Sequence, residues 1–501
     1  MNNRRNGVVL GYIDTFLKVL IGIVYIPLLL TFISTSDFGV YQLIGSFMSY
    51  LMILDFGLAN ALTKFIAQSN LVKAQHTQDS VISSGFVIYI FMSILVAITG
   101  ILMIASFDRI FGNQFSIEEI KVAREMLVIV VISSIAIIST NILTSILTAY
   151  EKFVFLKVMS ILQTVLQPIV IIALLSKWSN IYFIVLIQLC FILILIFLKA
   201  MYVSFVMKIK ITFKRIDTKL IKTILTFSSF IFLNLIIDQI YWKSDNFILA
   251  AINGPKIVAE YSIATQIILY YMILGATISS VFLPKVSQIV AKKNFLNELN
   301  LLFKKVSRLQ FFILSLILSG FIVFGKEFII FWVGIDFNDV YYYIIILMFS
   351  IIIPLSETIG ISILQALNKH KFRSVVYFII AILNVIFTIP FAKEYGGYGA
   401  AACTGIAQIL GNVIIINIYY QKNGIDVIGY FRSLKVIIIL TVICTMMGIF
   451  VKQWLNLNNP IVFLISIVLY TFLFILLNYK FNFNVEEKEI LRLNKIRKRR
   501  I

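Results

Sequence analysis

Runs of twenty or more apolar residues, separated by short polar links, fill this chain from residue 8 to residue 479. A run of that length spans a hydrocarbon core about 30 Å thick as an α-helix. Inside lipid the backbone must satisfy its own N–H and C=O groups, so such runs fold as helices. A β-barrel would show alternating strands of about ten residues instead. About fourteen spans are expected, at 8–33, 38–67, 81–107, 126–149, 155–176, 181–207, 222–252, 258–290, 309–334, 341–367, 374–392, 399–421, 434–454 and 460–479. The predicted class is an all-α polytopic membrane protein. With 13% charged residues, the chain has too few charges to cover a soluble surface. Met1–Asn6 is short and basic, and no small-residue cleavage site follows the first run, which is expected to be a retained span.

The chain also repeats itself. Residues 38–68 align without a gap on 258–288 at an offset of 220, keeping Tyr41, Tyr50, Met52, Ile53, Leu54 and Gln68 as Tyr261, Tyr270, Met272, Ile273, Leu274 and Gln288. Residues 145–158 align on 362–375 at an offset of 217. Two similar membrane halves are most often those of a transporter whose site lies where the halves meet. The repeat divides the chain into a six-helix lobe at 1–207, a basic linker at 208–221 and a second six-helix lobe at 222–421. A two-helix hairpin at 434–479 and a basic tail at 480–501 have no counterpart. Six spans per half give both halves one orientation, related by an axis along the membrane normal.

The formal net charge of +20 would suggest nucleic acid on a soluble protein. Here its placement gives another meaning, and no nucleic-acid partner is expected. Arg4 and Arg5, the links at 208–222 and 292–308, Lys369, Lys371 and Arg373, and the tail from Arg492 to Arg500 all fall on one side of a fourteen-span fold. The opposite side has scattered cations such as Arg109, Lys177, Lys256 and Lys393. By the positive-inside rule both termini are cytoplasmic, and the tail orients the chain and attracts anionic lipid. Cys190, Cys403 and Cys444 read as small core residues, and His76 and His370 form no ligand set. No metal site or enzymatic centre is expected. No phosphate-binding glycine-rich loop and no soluble domain are present, which argues against an ATP-driven pump, a receptor or a membrane-anchored synthase. The link Asp108–Glu125 is short for a glycan polymerase or ligase. The link Gln68–Ser80 lacks the glycine-and-arginine-rich pattern of major-facilitator transporters.

A charge near the bilayer centre costs about 2.5–3.5 kcal/mol on insertion scales, so those present should be paired or line water. Asp14 and Lys18 share one face of the first span. Asn234, Asp238, Tyr241, Trp242 and Asp245 share a face of the seventh, with Lys243 pointing elsewhere. The repeat sets Asp14 against Asn234 and Lys18 against Asp238, so these residues, with Lys243 and Asp245, are candidates to line a polar cavity. The rival reading is local pairing within each helix. Lys64 and Lys199 lie near span ends and are expected to snorkel. Asp55 either caps a break beside Gly57 or lines the cavity. Ser134, Ile137, Asn141, Ser145 and Thr148 form one stripe, serving helix packing or, through Asn141, the cavity. Pro354 should kink its span, and Glu357 beside it reads either as a gate or cation site or as a bend satisfied by a neighbour.

The text Asp37-Phe38-Gly39-Val40-Tyr41, followed by Asp55-Phe56-Gly57-Leu58-Ala59-Asn60-Ala61 and Lys64-Phe65, resembles the opening of bacterial polysaccharide flippases of the Wzx type. Leu147-Thr148-Ala149-Tyr150-Glu151-Lys152 and Tyr395-Gly396-Gly397-Tyr398-Gly399-Ala400-Ala401 are similar to later stretches of that family. The resemblance covers the whole length. It implies the superfamily that includes multidrug and toxin extruders and peptidoglycan lipid flippases, with two six-helix lobes around a central cavity. It implies alternating access and a cargo of oligosaccharide on polyprenyl pyrophosphate, flipped to the outer leaflet of the bacterial cytoplasmic membrane for O-antigen, lipopolysaccharide or capsule. Membrane lipids, a polysaccharide polymerase and glycosyltransferases are the implied partners. Lys18 and Lys243 would be the pyrophosphate partners. No bound cofactor is expected, while the interleaved Asp14, Asp238 and Asp245 favour coupling to protons or sodium. The alternative function is a cation-coupled multidrug or metabolite exporter of the same architecture.

Overall fold

A computed structural model of the chain describes residues 2–72, 75–178, 180–209, 216–292 and 294–483. The side chains of 2–4, 71–77, 230, 233, 234, 276–281 and 283 also lie outside the described set. Expectations about Asn234, Arg4, much of the basic linker and the basic tail therefore fall outside it.

The described residues are nearly all helical, with no strand among them. The first helices are α1 (Asn2–Leu30), α2 (Thr35–Ile53), α3 (Leu58–Val72), α4 (Gln75–Phe111), α5 (Ile117–Ala149), α6 (Phe153–Leu175), α7 (Tyr182–Met201) and α8 (Thr218–Asn253). They are followed by α9 (Pro255–Val290), α10 (Phe295–Val333), α11 (Asn338–Ser356), α12 (Thr358–Ala366), α13 (His370–Gln408), α14 (Ile416–Lys422), α15 (Val427–Lys452) and α16 (Pro460–Phe481). Among the described residues, 11 helices are long and apolar enough to cross a membrane, or 12 if α2 and α3 are one span bent by 40°. The chain is an all-helical membrane protein, but the expected fourteen are not all recovered as separate helices. The expected spans 374–392 and 399–421 lie in one helical run of 53 residues, His370–Lys422. A straight helix of that length would reach about 80 Å, far beyond a bilayer. The run turns at Gly396, whose φ of 57° and ψ of −133° are not helical. The expected span 222–252 coincides with α8, part of which lies outside the described side chains.

The polar links carry the start signals that the helices need. Ser116 and Glu119 open α5 as a reciprocal capping box, with backbone-to-side-chain bonds of 2.8 and 3.2 Å. Ser34 caps α2 by accepting from the Asp37 amide, and Asp217 caps α8 by accepting from Lys219 and Leu220. Each cap satisfies amides that the first turn leaves unpaired, at about 1 kcal/mol apiece.

The chain divides into two compact units. One comprises Met1–Ser262 with Thr388–Gly397; the other comprises Ile263–Phe387 with Tyr398–Ile501. In the first, α5 is central and packs on α2, α3, α4 and α7, while α1 lies along α6. The sequence repeat places 222–252 with the second lobe, whereas α8 packs on α2, α3 and α4 of the first unit. In the second unit α10 is central, touching α11, α12, α15 and α16. The additional hairpin is thus attached along α10. Phe324 meets Tyr470 and Phe463 at ring separations of 5.6 and 6.3 Å, and Phe312 meets Phe474 at 5.7 Å. Arg308 donates to the Asn482 carbonyl and to Ser433, and Lys452 pairs with Glu327 at 2.7 Å nearer the other end of α10.

Candidate functional site

The polar side chains of the spans gather into four clusters, three in the first unit and one in the second. The first joins α1 to α6. Gly7 and Gly11, one turn apart, let α1 approach closely: a Cβ on Gly7 would lie 2.6 Å from Phe153 Cβ, and one on Gly11 3.7 Å from Lys157 Cε. The next turn brings Asp14 against Ser160, so the two helices run in parallel. Asp14 is 1% exposed. Its Oδ2 accepts from Lys18 at 3.1 Å and from Lys157 at 3.2 Å, and its Oδ1 accepts from the Ser160 hydroxyl at 3.0 Å. Lys18 also donates to Ser160 at 3.1 Å. The two lysine side chains remain 54% and 40% exposed. The Asp14–Lys18 pairing of the rival reading is present. The structure adds Lys157, whose place near the start of a span carries no signal of this partnership in the sequence.

The second cluster sits at the break between α2 and α3. Residues 54–57 form a turn in which Phe56 and Gly57 have φ of 54° and 68°. Asp55 lies in this turn, and its Oδ1 accepts from Asn141 of α5 at 2.8 Å. Ser145 bonds the Ala59 carbonyl at 3.3 Å, and Tyr89 of α4 is fully buried beside Asp55. Ser134, on the same stripe of α5, is fully buried and bonds back to the Val130 carbonyl at 2.8 Å. Lys64 stands 4.2 Å from the Phe227 ring centroid, and Lys199 donates to Thr144 at 3.1 Å.

The third cluster lies on α8. Asp245 is buried and accepts from the Tyr261 hydroxyl at 2.5 Å, while Asn246 donates to Ser46 at 2.9 Å. Asp238 is exposed and Lys243 half-buried. The structure thus groups Asp14 with Lys18 and Asp55 with Asn141, and it ties Asp245 to α9.

The fourth cluster surrounds the joint between α11 and α12. Pro354 precedes it by one turn, and Glu357 forms the joint itself, with φ of −97° and ψ of 12°. Glu357 is 3% exposed. Its nearest polar neighbour is the buried Asn417 side chain, and Glu357 Oε1 makes no hydrogen bond of good geometry among the described residues. Tyr420 and Tyr430 are buried nearby, and Tyr430 shares a 2.6 Å bond with Ser356. On the other face of the joint, Gln310 donates to the Gly275 carbonyl at 2.8 Å and to Thr358 at 3.0 Å. Position 275 matches Asp55 at the offset of 220, and Thr358 matches Asn141 at 217. Gln310 stands 221 residues after Tyr89. Neither Gln310 nor Thr358 is charged, so reading charges alone missed both, and of the two only Thr358 stands at an offset that the repeat uses. Among the described residues, no group of three His, Cys, Asp or Glu is placed to hold a metal ion.

The fold is similar to that of known transporters. A structure of the lipid II flippase MurJ in an inward closed conformation matches with a TM-score of 0.72 at 20% identity, covering 95% of this chain and 98% of that one. An inward-facing multidrug resistance MATE family transporter of the MOP superfamily matches with a TM-score of 0.67 at 14% identity, covering 82% and 94%. A MOP superfamily transporter from Pyrococcus furiosus Vc1 matches with a TM-score of 0.53 at 14% identity, covering 83% and 94%. No curated protein matches the chain by sequence. The sequence family described as "Polysaccharide biosynthesis protein" matches residues 5–290, more than half of the chain. The helical membrane fold, the flippase-like motifs and this match agree, and the chain belongs to that polysaccharide biosynthesis family, the Wzx-type flippases.

Proposed function

We propose that this protein flips an oligosaccharide repeat unit, carried on polyprenyl pyrophosphate, from the inner to the outer leaflet of the bacterial cytoplasmic membrane, for O-antigen or capsule assembly. The observation that carries the reading is membership of the polysaccharide biosynthesis family, and likeness to the MurJ fold supports it. The physical task is to carry sugar hydroxyls past hydrocarbon, where each uncovered group would cost several kcal/mol. Alternating access keeps the sugar in a wet crevice while the polyprenyl chain stays in lipid, and then exposes the head group on the other face. Asp14, Lys18, Asn141, Asn234, Asp238, Lys243 and Asp245 are the proposed contributors to that crevice. Both termini face the cytoplasm in this reading, beside the glycosyltransferases that build the cargo.

Coupling to a proton or sodium gradient is proposed at Glu357, with Pro354 as its hinge and Asp55 as a second candidate. The support is the buried Glu357 carboxyl, which faces the Asn417 side chain and leaves its Oε1 without a well-formed hydrogen bond among the described residues, so its bonding capacity is not filled. The test is purified protein in vesicles loaded with a fluorescent lipid-linked oligosaccharide on one leaflet. Wild type is expected to equilibrate the label, and an imposed gradient to bias it. Glu357→Gln should keep the slow equilibration and lose the bias. No label movement in any gradient would remove the flippase reading. The MATE-like structural match favours a second reading, a cation-coupled exporter of drugs or metabolites. Gradient-driven efflux of a soluble cationic dye from the same vesicles, without lipid movement, would select it.

A further inference from the structure

The polar residues of α6 continue past the ion-pair cluster into the middle of the span. Lys157, Ser160, Gln163, Thr164 and Gln167 are all the polar residues of this helix, and they share one broad stripe. Between Phe153 and Val170 the exposed residues are Val158, Leu162, Leu166, Ile169 and Val170, all apolar. At about 100° of turn per residue, that apolar face is centred about 150° away from the polar stripe. The apolar face meets hydrocarbon, and the stripe is turned from it. Gln163 and Gln167 stand on either side of the midpoint of Phe153–Leu175, near the middle of the span. Gln163 donates to Gln167 at 3.0 Å. Thr164 is satisfied differently, through the Ser160 carbonyl of its own helix at 2.8 Å. The glutamine pair keeps unused capacity. Gln163 Oε1 and the Gln167 NH2 have no hydrogen-bond partner among the described residues, and both residues are half-buried. Amide groups left unpaired in a dry interior are costly, so this part of the stripe meets water or a polar ligand.

We propose that Gln163 and Gln167 are specificity-determining residues that take the acetamido group of an N-acetylated sugar in the cargo. A free carbonyl oxygen and a free NH2 on side chains one helical turn apart suit a ligand with one donor and one acceptor. An acetamido group is such a ligand, because its N–H and C=O are held on opposite sides of a flat amide. Its N–H donates to Gln163 Oε1, and its carbonyl accepts from Gln167 Nε2. A sugar hydroxyl places donor and acceptor on one rotating atom, whereas the acetamido group holds them apart, as the free ends of the glutamine pair are held apart. The bond between the glutamines can reverse by rotation of both amides. One oxygen and one NH2 then remain free as before, so the pair accepts the group in either orientation. The choice of ligand rests on the proposed function, since a sugar-bearing cargo brings such a group into the span.

The test compares the affinity of the full chain in detergent for polyprenyl pyrophosphate carrying N-acetylglucosamine and for the same lipid carrying glucose, by native mass spectrometry. The two lipids differ at one substituent. Wild type is expected to hold the acetamido lipid about tenfold more tightly, as one or two net hydrogen bonds would give, a readout that needs no variant to fold. Gln163→Leu combined with Gln167→Leu removes both partners of the internal bond and leaves no orphaned amide, so the fold should be kept. In that double variant the preference should fall to within about twofold. Equal wild-type affinities for the two lipids, or a preference that survives in the double variant, would overturn the assignment and leave a pair that merely stabilises its own helix. The two proposals fail separately. A preference that depends on the glutamines, with no movement of either lipid in vesicles, keeps the sugar contact and removes the flippase reading. Flipping of both lipids at one rate, with no difference in binding, keeps the flippase and removes the sugar contact.

Discussion

Asp55 and Asn141 show how a single polar contact decides local structure inside an apolar bundle. Asp55 ends α2 in a turn, and the Asn141 amide donates to its carboxylate at 2.8 Å. Replacing that donor with a residue of similar volume takes one hydrogen-bond partner from a half-buried carboxylate. Asn141→Leu is expected to cost about 2 kcal/mol, seen as a lower thermal midpoint in detergent, with Asp55→Asn recovering part of the loss. A midpoint that does not move would mean that Asp55 is satisfied elsewhere. Gly57 makes a sharper case. Its φ of 68° lies in the left-handed region, and a Cβ there would stand 2.5 Å from Ile231 Cγ2. Gly57→Ala is expected to lose about 2 kcal/mol by strain and crowding together, whereas Gly45→Ala, with nothing within 4 Å of the added carbon, should be neutral within about 0.5 kcal/mol. The sequence pointed to Asp55 and Gly57 together, because an acid beside a glycine in mid-span marks either a helix break or a polar lining. It could not choose between the two, since that depends on where α5 lies.

The hairpin α15–α16 is held along α10 by an apolar cluster around Phe324, Tyr470 and Phe474 and by a few polar contacts at its ends. From α10, Arg308 reaches Asn482 and bonds the Ser433 carbonyl at 3.1 Å, and Glu327 pairs with Lys452 at 2.7 Å. Arg308→Met keeps the stem and removes the donors, so it should loosen the end of α16 for about 2 kcal/mol. The expected readout is faster proteolysis in the segment after Phe481 with α11 unaffected. Asp426 opens α15. Its carboxyl is held below the ordinary carboxylate range, first by the ion pair and hydrogen bond with Lys304 and then by the Gly429 amide. A depressed folded value means that this stabilisation is present above the usual carboxylate pKa of about 4 and is lost as pH falls through the lower folded value. Asp426→Asn should therefore lower the thermal midpoint slightly at pH 7 and leave it unchanged near pH 2; equal effects at both would assign the residue to capping alone. The group is mostly exposed, so solvent screening keeps the effect small.

For the whole molecule, the duplicated text predicts duplicated local design, and each unit contains it in its own chemistry. In the first, Asp55, Asn141 and Tyr89 meet at a break between two helical segments; in the second, Gly275, Thr358 and Gln310 meet at another. The position kept while the carboxylate moved: Asp55 has glycine as its counterpart, and the buried acid of the second unit is Glu357 instead. Under the proposed function, a gradient should bias transport by the intact chain in sealed vesicles, and no nucleotide should be needed. Stimulation by ATP alone would contradict it. The helical class and the membrane were legible in the order of the residues, because only helices or closed barrels satisfy a backbone in lipid, and runs of this length exclude the barrel. The internal duplication and the family motifs were legible there too. Which helices touch emerged only in three dimensions. Apolar faces that pack on protein and those that face lipid have the same composition, so periodicity cannot separate them and cannot assign α8 to its neighbours. For the same reason only the packing of α1 on α6 could bring Lys157, 143 residues away in sequence, onto Asp14.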